Sequence, residues 1–68
     1  MENRVKNLRN QAGWTQADLG EKLGVSRQTV VAIEKGKYDP SLPLAFQMAQ
    51  LFNLKIEELF LYSEKTDI

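Results

Sequence analysis

The chain has 68 residues, enough for a single small domain, and its nine basic and nine acidic residues give a formal net charge of zero. It contains no cysteine and no histidine, which excludes disulfide bonds, thiolate or imidazole metal ligands, a cysteine nucleophile and a histidine proton shuttle. No apolar run approaches the roughly 20 residues that span a membrane, and the N-terminus has no signal-peptide apolar region, so a cytoplasmic protein without a membrane partner is expected.

Capping and stop signals predict two helices at the start of the chain. Asn3 is expected to cap the first helix, and Gly13 is expected to end it in a left-handed conformation. Thr15 opens the second helix, Asp18 completes a capping box three residues later, and Gly24 ends the helix. The apolar residues at helical spacing on these two helices are Val5, Leu8, Ala12, Leu19 and Leu23.

Three more helices follow. Ser26 caps the third helix, and Gly36 ends it. Ser41 caps the fourth, with Pro43 in its first turn, and Asn53 ends it. Inward positions of the last three helices are Val30, Ile33, Leu44, Ala45, Met48, Leu51, Phe52, Ile56, Leu59 and Phe60. Five short helices joined by tight turns predict an all-α, compact five-helix bundle and a single domain over residues 1–68.

Charge is distributed unevenly along the chain. Residues 1–37 carry seven basic and four acidic side chains, a net charge of +3, whereas residues 38–68 carry two basic and five acidic ones, a net charge of −3. A basic half can face phosphate groups while an acidic half stays away from them. A solvated surface of mixed charge is the alternative, and charge alone does not decide between the two.

Residues 16–35 have the spacing of two crossing helices joined by a short turn. Gly20 lies where the two helices must pass close together, and Gly24 permits the positive φ of the turn. Once the inward residues and caps are assigned, the positions left free on the first turn and outer face of the second of these helices are Arg27, Gln28, Val31 and Ala32.

This pattern resembles the helix-turn-helix of the phage repressor/Cro family, often called Xre-like. The similarity is carried by Asn7-Leu8-Arg9, Gly13-Trp14-Thr15-Gln16, Leu19-Gly20, Val25-Ser26-Arg27-Gln28-Thr29-Val30, Ile33-Glu34-Lys35-Gly36-Lys37-Tyr38, Pro40-Ser41-Leu42, Ala45 and Ile56-Glu57-Glu58-Leu59-Phe60. Gly20 stands where the family usually has Ala, and Lys55 stands where a capping Ser or Thr is frequent. The resemblance implies a lambda-repressor-like five-helix domain, and a transcriptional regulator, in particular a repressor, whose partner is double-stranded DNA.

The resemblance places the recognition helix at residues 27–35, in the major groove. Arg27 and Gln28 lie at its N-terminal end, where family members read base edges, and Arg pairs with guanine as Gln does with adenine. Ala32 can offer its methyl group to a thymine methyl, and Val31 can make an apolar contact in the groove. The alternative for each of the four is an ordinary surface residue.

The expected phosphate contacts lie at the start of the second helix and at the end of the third: Thr15, Gln16, Lys35 and Lys37. A helix N-terminus offers free N–H groups and partial positive charge to a phosphate. In the family, the amide that matches Gln16 contacts a phosphate and can brace the residue that matches Gln28. For the two lysines, free solvation is the alternative.

Two opposite charges fall on inward stripes. Arg9 follows Val5 by four residues, and Glu34 lies beside Ile33. Such charges most simply pair with each other, and these positions often form a bridge in the family. A structural ion pair between Arg9 and Glu34 is therefore predicted.

The C-terminal segment predicts a homodimer contact. Phe60, Leu61 and Tyr62 are consecutive, so one domain cannot bury all three on one face, and at least one is expected to meet a second copy. A short C-terminal strand at residues 61–63, paired with residues 2–4, would resemble some short relatives. The alternative is that Leu61 and Tyr62 fold back over the fifth helix.

Three functional classes compete. A sequence-specific DNA-binding regulator, a repressor that binds a palindromic operator as a dimer, is favoured by Arg27 and Gln28 in the first turn of the recognition helix. An antitoxin-like module that holds a partner protein, and also binds DNA, is the alternative. An enzyme is not expected, because no nucleophile–base pair, phosphate loop or motif-placed carboxylate pair is present. No metal, cofactor or small-molecule ligand is expected.

Overall fold

The protein folds as five helices closed by one pair of short strands in a computed structural model that describes residues 1–62. The elements in chain order are β1 (Glu2–Asn3), α1 (Val5–Ala12), α2 (Gln16–Leu23), α3 (Arg27–Glu34), α4 (Leu42–Leu51), α5 (Ile56–Leu59) and β2 (Phe60–Leu61). The predicted all-α five-helix class is confirmed, as is the short C-terminal strand. None of the helices in these 62 residues has the length and apolar character to cross a membrane.

The helix ends follow the predicted stop signals closely. Gly13 and Gly24 end α1 and α2 with φ of 79° and 75°, values that glycine adopts without steric cost. Asn53 ends α4 with φ of 59°. α3 ends at Glu34, with Lys35 as its C-cap, so the recognition helix is one residue shorter than predicted.

The predicted cap of α1 is wrong in position. Arg4 occupies the N-cap and makes no side-chain cap hydrogen bond, whereas Asn3 belongs to β1. The Asn3 amide oxygen still accepts the N–H of Val5 at 3.1 Å, and its amide nitrogen donates to the carbonyl of Ile33 at 2.9 Å. The strand displaces Asn3 by one position, and its side chain then connects the start of α1 to the end of α3.

The core lies between all five helices. Its buried apolar residues are Val5, Leu19, Leu23, Val30, Ile33, Ala45, Met48, Ala49, Leu59 and Phe60. The inward stripes of α2 and α3 supply four of them, so the two helices of the helix-turn-helix are held against each other and against α4 by the same apolar cluster. This leaves the opposite side of α3 free.

The two strands pair antiparallel within one chain. Glu2 lies opposite Leu61, and Asn3 lies opposite Phe60. The strand begins one residue earlier than predicted, because Phe60 pairs with Asn3, and the Phe60 side chain is buried, with 8% of its surface exposed. Phe60 as a dimer contact is therefore corrected: its ring is part of the core of its own domain. Ser63 of the predicted strand lies outside the described residues.

Candidate nucleic-acid interface

The turn between α2 and α3 depends on a close backbone approach at Gly20. A Cβ atom built at this position would lie 2.8 Å from the carbonyl oxygen of Val25, closer than real Cβ contacts. The N–H of Val25 donates to the Gly20 carbonyl at 2.9 Å, so the turn is bonded to the helix that it leaves. The absence of a side chain at Gly20 lets α3 start directly beside α2.

The first turn of α3 carries the predicted base-reading residues. Ser26 caps the helix, and its hydroxyl accepts the N–H of Thr29 at 3.1 Å. Arg27 and Gln28 are both exposed, immediately after this cap. The cap fixes the backbone while these two long polar side chains remain free to reach a base edge.

The remaining predicted contacts on α3 and after it differ in exposure. Val31 and Ala32 are half-buried, so each offers only part of its side chain to a ligand. Lys35 and Lys37 are exposed. The structure thus places four predicted contacts on one eight-residue helix and two lysines directly beyond its C-terminal end.

A capping box fixes the N-terminal end of α2. The Thr15 hydroxyl accepts the N–H of Asp18 at 2.9 Å, and the Asp18 carboxylate accepts the N–H of Thr15 at 2.9 Å. The backbone N–H of Thr15, followed by its side chain, holds the pKa of the Asp18 carboxyl below its usual value. In this box the Thr15 hydroxyl acts as the acceptor, whereas the predicted phosphate contact uses it as a donor.

The inward charges form a buried ion pair. Arg9 Nε lies 2.6 Å from Glu34 Oε2, and Arg9 Nη2 lies 3.2 Å from Glu34 Oε1. The side chains are 9% and 3% exposed. Arg9 Nη1 also donates to the carbonyl of Trp14 at 2.9 Å. The hydrogen bond to Glu34 raises the pKa of Arg9 above its usual value, so the guanidinium stays charged.

Gln16 is attached to this pair, which the sequence did not indicate. Its amide nitrogen donates to Glu34 Oε1 at 3.2 Å, and the side chain is half-buried at the first position of α2. The hydrogen bonds of the described residues give it Glu34 as partner and not Gln28, the residue suggested by the family. Periodicity assigns a residue to a face, but it does not identify a third partner of an ion pair.

Trp14 joins the helix-turn-helix to the rest of the domain. Its ring lies 5.8 Å from that of Phe52, measured between centroids, and Lys22 Nζ lies 4.6 Å from the Trp14 ring centroid. The loop before α2, the last turn of α2 and the end of α4 therefore meet at one half-buried indole.

A second surface is apolar and lies beside the loop that follows α3. A depression of about 250 Å³ is lined by Met1, Asp39, Pro40, Leu42, Ala45, Ile56 and Phe60. The N-terminal ammonium of Met1 lies 3.0 Å from a carboxylate oxygen of Asp39. Leu42 and Phe46, one helical turn apart on α4, are 63% and 50% exposed. Sequence analysis missed this pair, although the i, i+4 spacing outside the inward stripe is visible in the sequence.

The predicted dimer contacts at the C-terminal end differ in their exposure to solvent. Leu61 is 42% exposed and Tyr62 is 71% exposed, so both are less covered than the alternative, in which they fold back over α5, would require. Both remain available to a partner, in contrast to Phe60.

Comparison with known proteins identifies similar chains over most of this length. A helix-turn-helix family profile matches residues 5–59. An uncharacterized HTH-type transcriptional regulator of Methanocaldococcus jannaschii is 58% identical over 64 residues, covering 94% of this chain and 97% of that protein. The crystal structure of the restriction-modification controller protein C.AhdI from Aeromonas hydrophila is similar with a TM-score of 0.74 and 30% identity, over 84% of this chain and 86% of that one. Antitoxin HipB of Escherichia coli is 33% identical over 54 residues, covering 79% of this chain and 57% of HipB.

Proposed function

Given that the chain belongs to the helix-turn-helix family of transcriptional regulators, we propose that it is a sequence-specific DNA-binding repressor. It binds a palindromic operator as a homodimer, with α3 of each copy in the major groove. The observation that carries this proposal is the exposed pair Arg27 and Gln28 on a capped first turn, held by a buried helix-turn-helix core.

The roles of the individual side chains follow from their chemistry. Arg27 and Gln28 present bidentate donors and acceptors for base edges, and the half-buried Val31 and Ala32 add apolar contact. Lys35, Lys37 and the N-terminal end of α2, with Thr15 and Gln16, take phosphates. Phosphate contacts supply affinity without sequence preference, so specificity is assigned to α3.

Dimerisation is proposed from the exposed apolar residues. One domain covers half of an operator and buries little surface, whereas a two-fold dimer places two recognition helices about 34 Å apart, one turn of DNA. Leu61 and Tyr62 supply an exposed apolar contact for that dimer. A protein that regulates transcription in this way acts on DNA in the cytoplasm, the location predicted from the sequence.

Selection of bound duplexes from a random pool, followed by sequencing, tests the proposal. A regulator of this kind enriches one motif with two inverted half-sites. A matched selection with Arg27→Ala/Gln28→Ala is expected to recover DNA without a motif. No enrichment by the wild type contradicts sequence-specific binding, and equal enrichment of one motif by both proteins removes Arg27 and Gln28 from base readout.

An antitoxin-like role is the second candidate, since this chain is similar to antitoxin HipB over 79% of its length. The exposed Leu42 and Phe46 offer an apolar surface for a partner protein. If this role is correct, Leu42→Glu abolishes binding of the partner protein and leaves DNA binding intact. If the protein is a repressor without a protein partner, there is no partner binding to lose, and Leu42→Glu leaves DNA binding unchanged.

A further inference from the structure

We propose that Glu34 is a positioning residue for DNA binding, which acts through Gln16. Its buried carboxylate holds the Gln16 amide so that one N–H of the amide is directed to a DNA phosphate at the N-terminal end of α2. The inference rests on the proposed DNA-binding function and adds to it a role for a residue that never touches DNA.

The first support is that the carboxylate of Glu34 is fixed. Two nitrogen atoms of Arg9 donate hydrogen bonds to its two oxygens, at 2.6 Å and 3.2 Å. Arg9 also donates to the carbonyl of Trp14, which fixes the guanidinium. The Glu34 side chain is 3% exposed. A bidentate contact between two planar groups leaves the carboxylate little freedom to rotate.

The second support is the direction that this carboxylate imposes on Gln16. A carboxylate only accepts hydrogen bonds, so it selects the NH2 end of the amide and rejects the carbonyl end. The 3.2 Å contact between Gln16 Nε2 and Glu34 Oε1 uses one N–H. The amide nitrogen carries a second N–H, which remains for another acceptor.

The third support is the position of Gln16 on α2. It is the first residue of the helix, where backbone N–H groups have no acceptor within the helix. A phosphate placed there receives these N–H groups and the second N–H of the Gln16 amide together. Because Glu34 orders the side chain before DNA arrives, binding loses less side-chain entropy than it does with a free glutamine.

A cycle of variants separates positioning from folding. Arg9→Met/Glu34→Leu replaces the buried pair by apolar residues of similar size, which usually preserves a fold. Gln16→Ala is made in the wild type and in this paired variant, and circular dichroism melts establish that all four proteins are folded. Each is titrated with a mixed-sequence duplex of about 20 base pairs, roughly two helical turns, at several salt concentrations.

Positioning predicts that Gln16→Ala weakens binding about 10- to 100-fold in the wild type, the effect of one hydrogen bond to a charged group. In the paired variant the same change has an effect of less than about twofold, because the amide is no longer held. Gln47→Ala removes another amide that donates to the protein, at the Leu23 carbonyl, and is expected to change affinity in neither background. Equal losses from Gln16→Ala in both backgrounds overturn the proposal.

A second measurement needs no variant. In the wild-type protein, titration with the same duplex is expected to shift the resonance of the second Gln16 side-chain amide proton more than that of the proton bonded to Glu34. Equal movement of both resonances, or movement of neither, overturns the positioning role while DNA binding stands. A wild type that binds no duplex overturns the proposed function and this inference together.

Discussion

At the scale of single residues, the buried pair of Arg9 and Glu34 constrains the groups that form hydrogen bonds with it. Two charges with almost no access to water are stable only because each finds its partner and further hydrogen bonds. The inward position of both residues could be predicted from the period of their helices. Gln16 as a third member could not, because a side chain of that length reaches several partners from the same helical position.

Removal of either charge alone is expected to cost about 3–5 kcal/mol, because the other charge is left buried without a partner. Arg9→Met/Glu34→Leu together are expected to cost less than about 2 kcal/mol. Denaturant melts of the two single variants and the double variant measure these losses. Small losses that add up in the double variant would contradict a coupled buried pair.

The contribution of the charged pair to the free energy of unfolding is expected to be independent of pH near neutrality. The pKa of Arg9 is raised, so its contribution is fully present below the ordinary arginine pKa and is lost only as the pH rises through the higher folded value. The stability difference between the wild type and Arg9→Met/Glu34→Leu, which leaves no buried charge behind, should therefore be the same at about pH 6 and about pH 8.

The exposed Arg27 and Lys37 are expected to differ in how they bind DNA. Arg27→Ala should cost about 1–3 kcal/mol on the selected site and relax preference at one base pair, whereas Lys37→Ala should weaken all sequences alike and lower the salt slope by about one. Binding curves on specific and random DNA at several salt concentrations distinguish the two. Equal loss on both DNAs for Arg27→Ala removes that residue from base readout.

At the scale of elements, caps and stop residues made the helix limits predictable. Thr15, Ser26 and Gly24 act through their own backbone and their nearest neighbours, so the local sequence contains the information. Asn3 was misassigned because its backbone pairs with a strand 57 residues further along the chain. A cap signal read locally cannot include such a distant partner.

Gly20→Ala tests the close approach at the turn. Helix propensity alone predicts a gain of roughly 1 kcal/mol, but the new methyl group meets the Val25 carbonyl, an immobile backbone atom, at 2.8 Å. A net loss of about 1 kcal/mol in unfolding free energy is expected, since overpacking costs more than propensity returns. A thermal or denaturant melt that shows stabilisation near 1 kcal/mol would mean that the turn moves freely.

The capping box of α2 predicts a dependence on acid. The folded-state pKa of Asp18 is lowered, so its charge stabilises the protein above the unfolded value near 4 and this contribution is lost as the pH falls through the folded value. The wild type should exceed Asp18→Asn in stability at about pH 6, and the difference should vanish in stronger acid. Glu21→Gln, an exposed acidic residue of the same helix, is the control. A difference that persists at low pH would show that charge is not its cause.

At the scale of the whole molecule, the pairing of β1 with β2 determines which apolar residues face outward. Pairing turns Phe60 inward and leaves Leu61 at the edge of the strand pair. Three consecutive apolar residues indicated that one of them must be exposed, but they did not indicate which one. That choice depends on register between the two ends of the described chain, a long-range contact that no local pattern contains.

Leu61→Glu tests the proposed dimer. Sedimentation at micromolar concentration is expected to give a dimer for the wild type and a monomer for Leu61→Glu, because a carboxylate is not tolerated in an apolar contact. Gln11→Glu is the control: it adds the same charge at an exposed position of α1, and this variant should remain dimeric. Disruption by Leu42→Glu and not by Leu61→Glu would move the contact to α4, and a wild type that is monomeric both free and on DNA would exclude the dimer.

The indole at the junction of α2 and α4 provides an intrinsic fluorescence probe of that junction. Trp14 is the only tryptophan of the chain, and its ring is close to both the aromatic ring of Phe52 and the cation of Lys22. Its fluorescence therefore arises from one known place, where the loop before the helix-turn-helix meets the rest of the domain. Emission should shift to the red when this junction opens to water, and Lys22→Ala should change the intensity of the native state without changing that of the unfolded chain. An unlabelled sample thus reports whether the DNA-binding half separates from α4 before the remainder unfolds.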